Sequence, residues 1–426
     1  MKYEPTLAFA RSADSSDPLR KFRSRFRFPN RNGKQAVYLL GNSLGLQSRS
    51  VKAALTDELE TWAQHGVEGF FTGPKPWMKH HELTRKALAR LTGAREQEVI
   101  SMNQLTVNIH LMMASFYRPD GKRNRILMEA GSFPSDRYAV ESHIRWHGLD
   151  PANVLVEVAP EPGQYTISTE RITEGIRAEG DRLALVLIGA VQYYTGQFFN
   201  IGAITRAGHE AGAQVGFDLA HAIGNVPLQL HKDGPDFAVW CGYKYLNSGP
   251  GGLAGIFVHE RHGRSHDLPR LTGWWGRDPN ARFTVGSGFL PADGAAGWQL
   301  STFSVLPGAV QRAALELFEE ADFKVLRRKS INLTGYLEFL LKRHPLYGKV
   351  FSVITPADPD SRGCQLSIHL PEKGKEVFQR LSRHGIMADW RDPAVIRFAP
   401  VPMYNSFMDV HTAADVFLRS VERIFR

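Results

Sequence analysis

Cysteine is scarce in this sequence, with only Cys241 and Cys364 among 426 residues. Two cysteines cannot form a disulfide framework for a chain of this length, and neither lies at a metal-ligand spacing. The 16 histidines are scattered, and no His-x-x-x-His pair flanks a carboxylate as in a zinc-binding helix. We therefore predict a protein without structural disulfides and without a bound metal.

Long apolar runs are also lacking. No run approaches the roughly 18 residues that a membrane-spanning helix needs, and residues 1–5 have no apolar core of the secretory type. We expect a cytoplasmic protein. The 39 glycines and 24 prolines form no periodic or low-complexity tract, so they predict turns rather than a fibrous or disordered chain.

Negative charge is in deficit, and the net charge is +9. The densest basic run, residues 20–31, interleaves arginines with Phe22, Phe26 and Phe28, a mixture that can bind single-stranded nucleic acid. No recognised nucleic-acid-binding module surrounds it. We favour a surface segment with its phenylalanines packed inward, in a protein whose basic charge suits an anionic substrate or cofactor.

Short apolar runs alternate with amphipathic stretches from about residue 98 onward, which predicts an α/β fold with a mostly parallel sheet covered on both faces. We expect an N-terminal arm (1–50) joining the small domain, a large domain (51–306) and a small α+β C-terminal domain (307–426). The first forty residues of the arm are expected to be irregular. Predicted strands are 99–102, 125–129, 153–158, 183–190, 214–218, 237–241 and 254–258 in the large domain, and 350–354, 364–370 and 395–398 in the small one. Predicted helices are 50–62, 77–91, 105–116, 135–146, 169–179, 201–211, 308–341, 375–384 and 411–425. In the first of them, helical spacing places Val51, Leu55, Leu59 and Trp62 on one apolar face.

The segment from Cys241 to Gly252 places Lys244 between two tyrosines and runs into a glycine-rich turn. Upstream, Asp218 ends an apolar run and His221 follows three residues later. Lys244 or Asp218 alone would be ordinary, since a lysine often lies at the surface and an aspartate often caps a helix. Together they are typical of a pyridoxal phosphate site, where a lysine binds the cofactor covalently and an acid pairs with the protonated pyridine nitrogen.

Two strand-to-helix junctions could hold the rest of this cofactor. Thr106 and the amides around Leu105 could bind its phosphate at a helix N-terminus. Phe133 could stack on its ring, and Ser135 or Asp136 could bond to it. An ordinary helix start explains either junction equally well when each is taken alone.

Six motifs, in order along the chain, resemble those of the kynureninase family. They are Gly41–Leu46, Phe133–Asp136, Val191–Gln197, Gly216–Ala222, Tyr243–Asn247 and Ala399–Asn405. The resemblance implies the fold of the pyridoxal phosphate-dependent transferases (fold type I). It also implies hydrolysis of kynurenine or 3-hydroxykynurenine to alanine plus anthranilate or 3-hydroxyanthranilate.

The resemblance further implies roles for individual residues. Lys244, Tyr243 and Asp218 would be catalytic, and Arg397 would bind the substrate α-carboxylate. Trp274 and Thr302 would reach the cofactor of a partner subunit, which implies a homodimer. The other implied cofactor contacts are Leu105, Thr106, Phe133, Pro134, Ser135, Asp136 and His221, and the other implied substrate contacts are Asn42, Ser43 and Phe70.

Two positions depart from the family pattern. Ser301 and Thr302 stand where relatives have Ser-Asn, and Phe70 and Phe71 stand where some have a histidine beside the substrate ring. Since both places would face the aryl group, ring preference stays open, with a lean toward kynurenine or toward both substrates. A cysteine desulfurase-like lyase is the alternative enzyme, with Cys364 as its one candidate nucleophile, although Cys364 leads directly into a predicted strand.

Overall fold

A computed structural model of the protein describes residues 1–31, 33–265, 267–284 and 288–426. A seven-stranded sheet lies at its centre, in the order β6-β12-β11-β10-β9-β7-β8. β12 is antiparallel to both of its neighbours, and every other neighbouring pair is parallel. The strands of the large sheet are β6 (Val99–Ser101), β7 (Arg125–Glu129), β8 (Leu155–Val158), β9 (Leu183–Gly189), β10 (Gln214–Asp218), β11 (Phe237–Trp240) and β12 (Gly255–Val258). The others are β1 (Phe26–Arg27), β2 (Asn30–Arg31), β3 (Lys34–Gln35), β4 (Val37–Tyr38), β5 (Gln47–Ser48), β13 (Ser352–Val353), β14 (Leu366–His369), β15 (Ile386–Met387), β16 (Asp389–Arg391) and β17 (Val395–Phe398).

Helices cover both faces of the large sheet, as strand β9 shows. Its side chains alternate between two hydrophobic clusters: Val186 and Ile188 enter one, and Leu185 and Leu187 enter the other. Because both faces are buried, the strand is a continuous apolar run. The helices are α1 (Leu7–Ser15), α2 (Arg20–Arg23), α3 (Val51–His65), α4 (Arg85–Thr92), α5 (Leu105–Phe116), α6 (Pro134–Trp146), α7 (Pro151–Val154), α8 (Thr169–Glu179), α9 (Ile201–Glu210), α10 (Leu230–Asp233), α11 (Glu260–Gly263), α12 (Val305–Glu320), α13 (Phe323–Lys342), α14 (Gly374–Arg383) and α15 (Phe407–Phe425). Short 3-10 helices occupy Gly66–Phe70, Trp77–Glu82, Glu96–Glu98, Gly180–Arg182, Trp274–Gly276, Gly294–Trp298 and Pro359–Ser361.

A second, antiparallel sheet in the order β13-β14-β17-β16 packs with α13 and α15 around a separate hydrophobic cluster. The N-terminal segment joins this cluster through Ala10, Ala13 and Leu39, and β4 pairs in parallel with β15. This packing supports our proposal that residues 1–50 belong with a small domain beginning near residue 307. Across the described ranges, no helix combines the length and the apolar character that crossing a membrane requires.

Three helix predictions are wrong in detail. The helix expected over 308–341 is two helices, because the Asp322 carboxylate accepts the Lys324 amide at 2.8 Å and caps a new helix at Phe323. The helix expected over 77–91 is a 3-10 helix followed by α4. The first forty residues were expected to be irregular, but α1 forms there with Thr6 as its N-cap.

The apolar face predicted for α3 is only half buried. Val51 is packed, whereas Leu59 and Trp62 are 48% and 61% exposed. The helical spacing was correct, but in a single chain nothing covers the far half of this face among the described residues.

Candidate active site

The carboxyl ends of the central parallel strands bring the predicted cofactor residues together. Asp218 is the last residue of β10 and lies in register with Gly189 of β9 and Val239 of β11. Lys244 follows the end of β11 by four residues. Ligands of open α/β sheets bind at this edge, so strand order alone places both residues at the expected site.

Lys244 is 8% exposed and faces a compact set of neighbours. Its Nζ lies 2.9 Å from His221 Nε2, 5.5 Å from the Phe133 ring centroid and 6.0 Å from the Tyr243 ring centroid. Burial, and next the Lys244 charge, holds the pKa of His221 well below its ordinary value. His221 is therefore neutral, so its Nε2 can accept a hydrogen bond from Lys244, while its buried Nδ1 has no hydrogen-bond partner among the described residues.

Asp218 and Asp136 form a buried carboxyl pair. Burial raises the pKa of both, and for Asp136 the neighbouring Asp218 raises it further. Lys244 and the Ala220 amide, which donates to Asp218 Oδ1 at 2.8 Å, oppose the shift at Asp218. Two adjacent carboxyls cannot both ionise without cost, so the shared proton belongs on Asp136 and the negative charge on Asp218.

Glu129, at the end of β7, is a third buried acid that the sequence reasoning did not single out. Burial raises its pKa to about 8, and the nearby Asp218 raises it as well. Its two carboxyl oxygens each lie 3.3 Å from the Gly189 amide. An acid closing an apolar strand was the available signal, and it is the same signal that identified Asp218.

The two strand-to-helix junctions are in direct contact. Thr106 Oγ1 and Ser135 Oγ are 2.9 Å apart, and Leu105 opens α5. Phe133 caps α6, with Pro134 at its first position. Paired hydroxyls at the N-terminus of a twelve-residue helix suit a phosphate group.

The Gly41–Leu46 turn packs directly on the Lys244 segment. The Gly45 amide donates to the Tyr243 carbonyl at 2.8 Å, and a Cβ added at Gly45 would lie 2.3 Å from the Lys244 carbonyl oxygen. In the same turn, Asn42 donates to Gln365 Oε1 at 2.9 Å. This close approach brings the last residues of the N-terminal segment to the pocket.

Arg397, 1% exposed, extends from β17 toward the same pocket. Its Nη1 donates to the Tyr193 carbonyl at 2.5 Å, and its Nη2 donates to Asp389 Oδ2. Ser43 Oγ donates to that same carboxylate oxygen at 2.9 Å. Burial lowers the pKa of Arg397 to about 10, so it remains cationic at neutral pH. Sequence reasoning missed Asp389 and Tyr193, because only the fold brings them to Arg397.

Phe70, Trp274 and Thr302 belong to a second group. Phe70 stacks edge-on with Trp77 at 5.2 Å and packs in a cluster with Trp275 and Phe303. Trp274 is 46% exposed and Thr302 is also exposed. The structure gathers these predicted contacts on a surface beside that cluster rather than around Lys244.

Both cysteines are buried thiols. Burial raises the pKa of Cys364 to about 12 and raises that of Cys241 as well. Tyr243 also has a raised pKa, first from its own burial and next from Cys241. Neither thiol has the lowered pKa or the exposure of a nucleophile.

One histidine cluster lies apart from this pocket. Ligand atoms of Glu98, His231 and His259 lie within 4.8 Å of one another. Glu98 Oε1 already accepts from His231 at 3.0 Å and from the Glu260 amide at 2.9 Å. These bonds satisfy the buried carboxylate within the fold, and the absence of a metal stays a prediction.

Comparisons with known proteins identify the family. Residues 326–417 match the model of the kynureninase C-terminal domain. A kynureninase of Xanthomonas campestris pv. campestris (strain B100) is 52% identical over 405 residues, covering 94% of this chain and 95% of the relative. One from Stenotrophomonas maltophilia (strain K279a) is 53% identical over 401 residues, covering 93% and 94%. The chain belongs to the kynureninase family.

Solved structures show that this kynureninase-family chain has the predicted fold. The cysteine desulfurase CsdA of Escherichia coli matches with a TM-score of 0.75 at 18% identity, covering 96% of this chain and 98% of that one. A mutant of C-DES with glycine covalently linked to its pyridoxal phosphate cofactor matches with a TM-score of 0.75 at 15% identity, covering 90% and 96%. At such identities the likeness concerns the fold alone, and it confirms the predicted fold type I architecture.

Proposed function

We propose that this member of the kynureninase family hydrolyses L-kynurenine, 3-hydroxy-L-kynurenine or both to L-alanine and the matching anthranilate, using pyridoxal phosphate. The observation that carries the proposal is the buried Lys244, held 2.9 Å from a neutral His221 beside the Asp218–Asp136 pair. This arrangement lies in a chain about half identical to kynureninases over nearly its whole length.

The residues present fit the cofactor. In the part of the chain that the structure describes, Asp136 Oδ1 and His221 Nδ1 are buried without hydrogen-bond partners, which is costly unless another polar group meets them. The Asp218–Asp136 pair would be balanced by a cationic ring nitrogen. Thr106 and Ser135 would bind the phosphate, Phe133 would stack on the ring, and Lys244 would form the covalent link.

When bound, pyridoxal phosphate withdraws electrons from the substrate Cα and so makes the Cα proton removable. Lys244 Nζ would accept that proton. His221, neutral and fixed 2.9 Å away, orients the amine. Asp218 would keep its negative charge toward the ring nitrogen, because Asp136 holds the shared proton.

The hydrolysis needs one water molecule, whose oxygen would bond to the substrate Cγ as the Cβ–Cγ bond breaks, and Tyr243 would supply the proton that the Cβ of the alanine fragment takes up. Its raised pKa keeps the hydroxyl protonated, so a proton is available at that oxygen to pass to the alanine fragment. Arg397 would hold the α-carboxylate, since a planar guanidinium matches a carboxylate in two parallel hydrogen bonds. Asn42 and Ser43 would line the substrate side of the pocket.

The group formed by Phe70, Trp274 and Thr302 would determine whether the enzyme prefers a substrate that carries the ring 3-hydroxyl. Phe70 is apolar, and Thr302 replaces an amide that could bond the hydroxyl, so we expect kynurenine or both substrates to be accepted. A pocket built to bond a hydroxyl strongly rejects an analogue without it, whereas an apolar pocket rejects an added hydroxyl only weakly.

The experiment that tests the function and this preference is a measurement of kcat/KM for both substrates side by side, by fluorescence of the released anthranilate. A preference of about a hundredfold or more for 3-hydroxykynurenine would contradict the lean toward kynurenine. Absence of turnover with both substrates would contradict the function itself.

We further propose a homodimer, which the exposure of Trp274 and Thr302 supports. Trp274 and Thr302 are expected to touch cofactor or substrate, but they lie on a separate surface. From there they could complete the site of a second copy of the chain. The neighbouring apolar surface includes Phe71 and Phe283, 57% and 63% exposed. We also propose that the protein is cytoplasmic, as the sequence predicts.

The desulfurase alternative has the weaker support, although such enzymes share the fold. Cys364 is 0% exposed, and its pKa is raised rather than lowered. Cys364→Ser is therefore expected to retain kynurenine turnover within about threefold, as a substitution away from the chemistry should. Persulfide formation from cysteine by the wild type, lost in the variant, would favour the desulfurase.

The nucleic-acid alternative relied on residues 20–31. Phe22 and Phe26 are each 2% exposed, Arg23 pairs with Asp409 at 2.5 Å, and Arg25 pairs with Glu320 at 3.0 Å. The interleaved aromatics thus contribute to the core rather than offering faces to bases. Tight, steeply salt-dependent binding of single strands would be the contrary result.

A further inference from the structure

A buried hydrogen-bond network joins the turn after β9 to strand β14. Two successive carbonyls of this turn, those of Tyr193 and Tyr194, accept hydrogen bonds from side chains at β14. Gln365 Nε2 donates to the first at 3.0 Å, and Ser367 Oγ donates to the second at 2.6 Å. Gln365 is 1% exposed and immediately precedes β14. It is a buried polar side chain with no assigned part in substrate binding.

The donors and acceptors around Gln365 fix the orientation of its amide. Its Nε2 also donates to Ser367 Oγ at 3.0 Å, so both N–H bonds of the amide are used. Ser367 gives its own hydrogen to the Tyr194 carbonyl and can only accept here. A reversed amide would place Oε1 against two acceptors, the Tyr193 carbonyl and Ser367 Oγ. Oε1 therefore faces Asn42, whose Nδ2 donates to it at 2.9 Å.

The orientation of Gln365 determines that of Asn42 in turn. Because Asn42 must present Nδ2 to Gln365 Oε1, its own Oδ1 faces away from Gln365. That oxygen is buried and has no hydrogen-bond partner among the described residues. A buried acceptor without a donor is costly, so Asn42 Oδ1 is available to a hydrogen-bond donor that a ligand brings.

Gln365 also shares an acceptor with Arg397. The Tyr193 carbonyl accepts from Arg397 Nη1 at 2.5 Å and from Gln365 Nε2 at 3.0 Å, which uses both lone pairs of that oxygen. Without Gln365, Arg397 alone would hold the carbonyl, which could then shift together with the guanidinium. One amide thus contacts both the carbonyl that fixes Arg397 and the side chain of Asn42.

We propose that Gln365 is a positioning residue for substrate binding, which fixes Arg397 through the Tyr193 carbonyl and orients the amide of Asn42. This rests on the proposed function, in which Arg397 binds the substrate α-carboxylate and Asn42 lines the substrate side of the pocket. Arg397 keeps its ion pair with Asp389 whether or not Gln365 is present. Gln365 therefore affects how firmly the guanidinium is held, while the charge itself stays in place.

Kinetics of L-kynurenine cleavage on the cofactor-loaded enzyme test this role. Gln365→Met keeps the length of the side chain and removes its polar atoms. It is expected to raise KM about tenfold while kcat changes less than about threefold, because binding common to ground and transition states is weakened. Ser367→Ala is the matched control, since Ser367 is buried in the same network but bonds to neither Asn42 nor the Tyr193 carbonyl. Its KM should stay within about threefold of the wild-type value.

Calorimetric binding of L-alanine and of L-alaninamide isolates the effect on Arg397, since only the acid carries a carboxylate. Gln365→Met is expected to reduce the preference for the acid about tenfold, the scale of one weakened hydrogen bond to a charged group, whereas Ser367→Ala keeps it. Melting temperatures identify a variant that fails to fold. Gln365→Asn, whose amide is one methylene too short to span both partners, then replaces Gln365→Met in both measurements with the same expected results.

A KM within about threefold of the wild type in the Gln365 variant would overturn the proposal, as would a change in kcat alone. Equal rises in KM for the Gln365 and Ser367 variants would indicate a general disturbance of β14 and would also overturn it. So would an unchanged preference for the acid. Failure of the proposed function is distinguishable, because the wild type would then release no anthranilate, whereas the acid preference is measured without turnover.

Discussion

Lys244 is a buried lysine whose neighbours explain why its charge can be tolerated. Asp218 supplies an opposite charge, His221 an uncharged acceptor at 2.9 Å, and Phe133 a ring face at 5.5 Å. Buried cations persist in folded proteins when such partners surround them. In the proposed reaction, Lys244 would exchange a proton with a substrate held by Arg397.

Replacing Lys244 by alanine is expected to reduce kcat/KM by about a thousandfold or more, the scale of a lost general base. Sodium borohydride should no longer fix the cofactor to the protein, a loss that intact-mass spectrometry detects. Lys122→Ala, at an exposed lysine paired with Asp181, is the control and should behave as wild type. A borohydride-stable adduct in Lys244→Ala would identify another lysine as the attachment point.

Glu129 provides a prediction about pH at the same scale. Its pKa is raised from 4.5 to about 8, so the folded cofactor-free protein binds a proton there that the unfolded chain has lost. Ionisation of the Glu129 carboxyl therefore destabilises the folded protein progressively as pH rises from 4.5 to about 8, and the effect is constant above that pH. The melting temperature of Glu129→Gln, minus that of the wild type, should increase between pH 5 and pH 8. A difference that is flat with pH would contradict the raised pKa.

At the scale of elements, the glycine turn and the Lys244 segment must approach each other closely. A Cβ at Gly45 would lie 2.3 Å from both Asn247 Oδ1 and the Lys244 carbonyl oxygen. Gly45→Ala is therefore expected to destabilise the protein by about 1–3 kcal/mol, the usual cost of overpacking, and to weaken cofactor retention. Gly288→Ala is the control for the same substitution, since a Cβ added there would have no described atom within 4 Å. Equal melting temperatures for the two variants would show that the turn has room to move.

Elements of the large sheet were predictable because burial on both faces makes each strand a short apolar run. The bounds of β7, β10, α5, α8 and β17 agree with the prediction, and Asp218 and Lys244 could be found from strand ends alone. The break between α12 and α13 could not be predicted, because it depends on a single capping hydrogen bond. Asp389 was missed for a different reason. It lies opposite Arg397 in the pairing of β16 with β17, and the sequence of one strand does not reveal its register with another.

At the scale of the whole molecule, the proposed homodimer with shared sites can be tested by complementation. Lys244→Ala and Trp274→Ala would each be impaired alone, since each homodimer carries two defective sites. A mixed dimer, however, has one site with an intact Lys244 and an intact partner tryptophan. Random reassociation of equal amounts should therefore restore activity toward about a quarter of the wild-type value, because half of the dimers are mixed and each has one intact site. No recovery despite subunit exchange, shown by mass spectrometry, would place Trp274 in its own subunit's site.

The most direct test of the account follows both products of the reaction together. Purified protein loaded with pyridoxal phosphate is incubated with L-kynurenine, and anthranilate and L-alanine are quantified by mass spectrometry, with Lys244→Ala as the matched control. We predict equimolar anthranilate and alanine from the wild type and neither above background from the variant. Wild-type protein that yields neither product from kynurenine, nor alanine and 3-hydroxyanthranilate from 3-hydroxykynurenine, would contradict the proposed function.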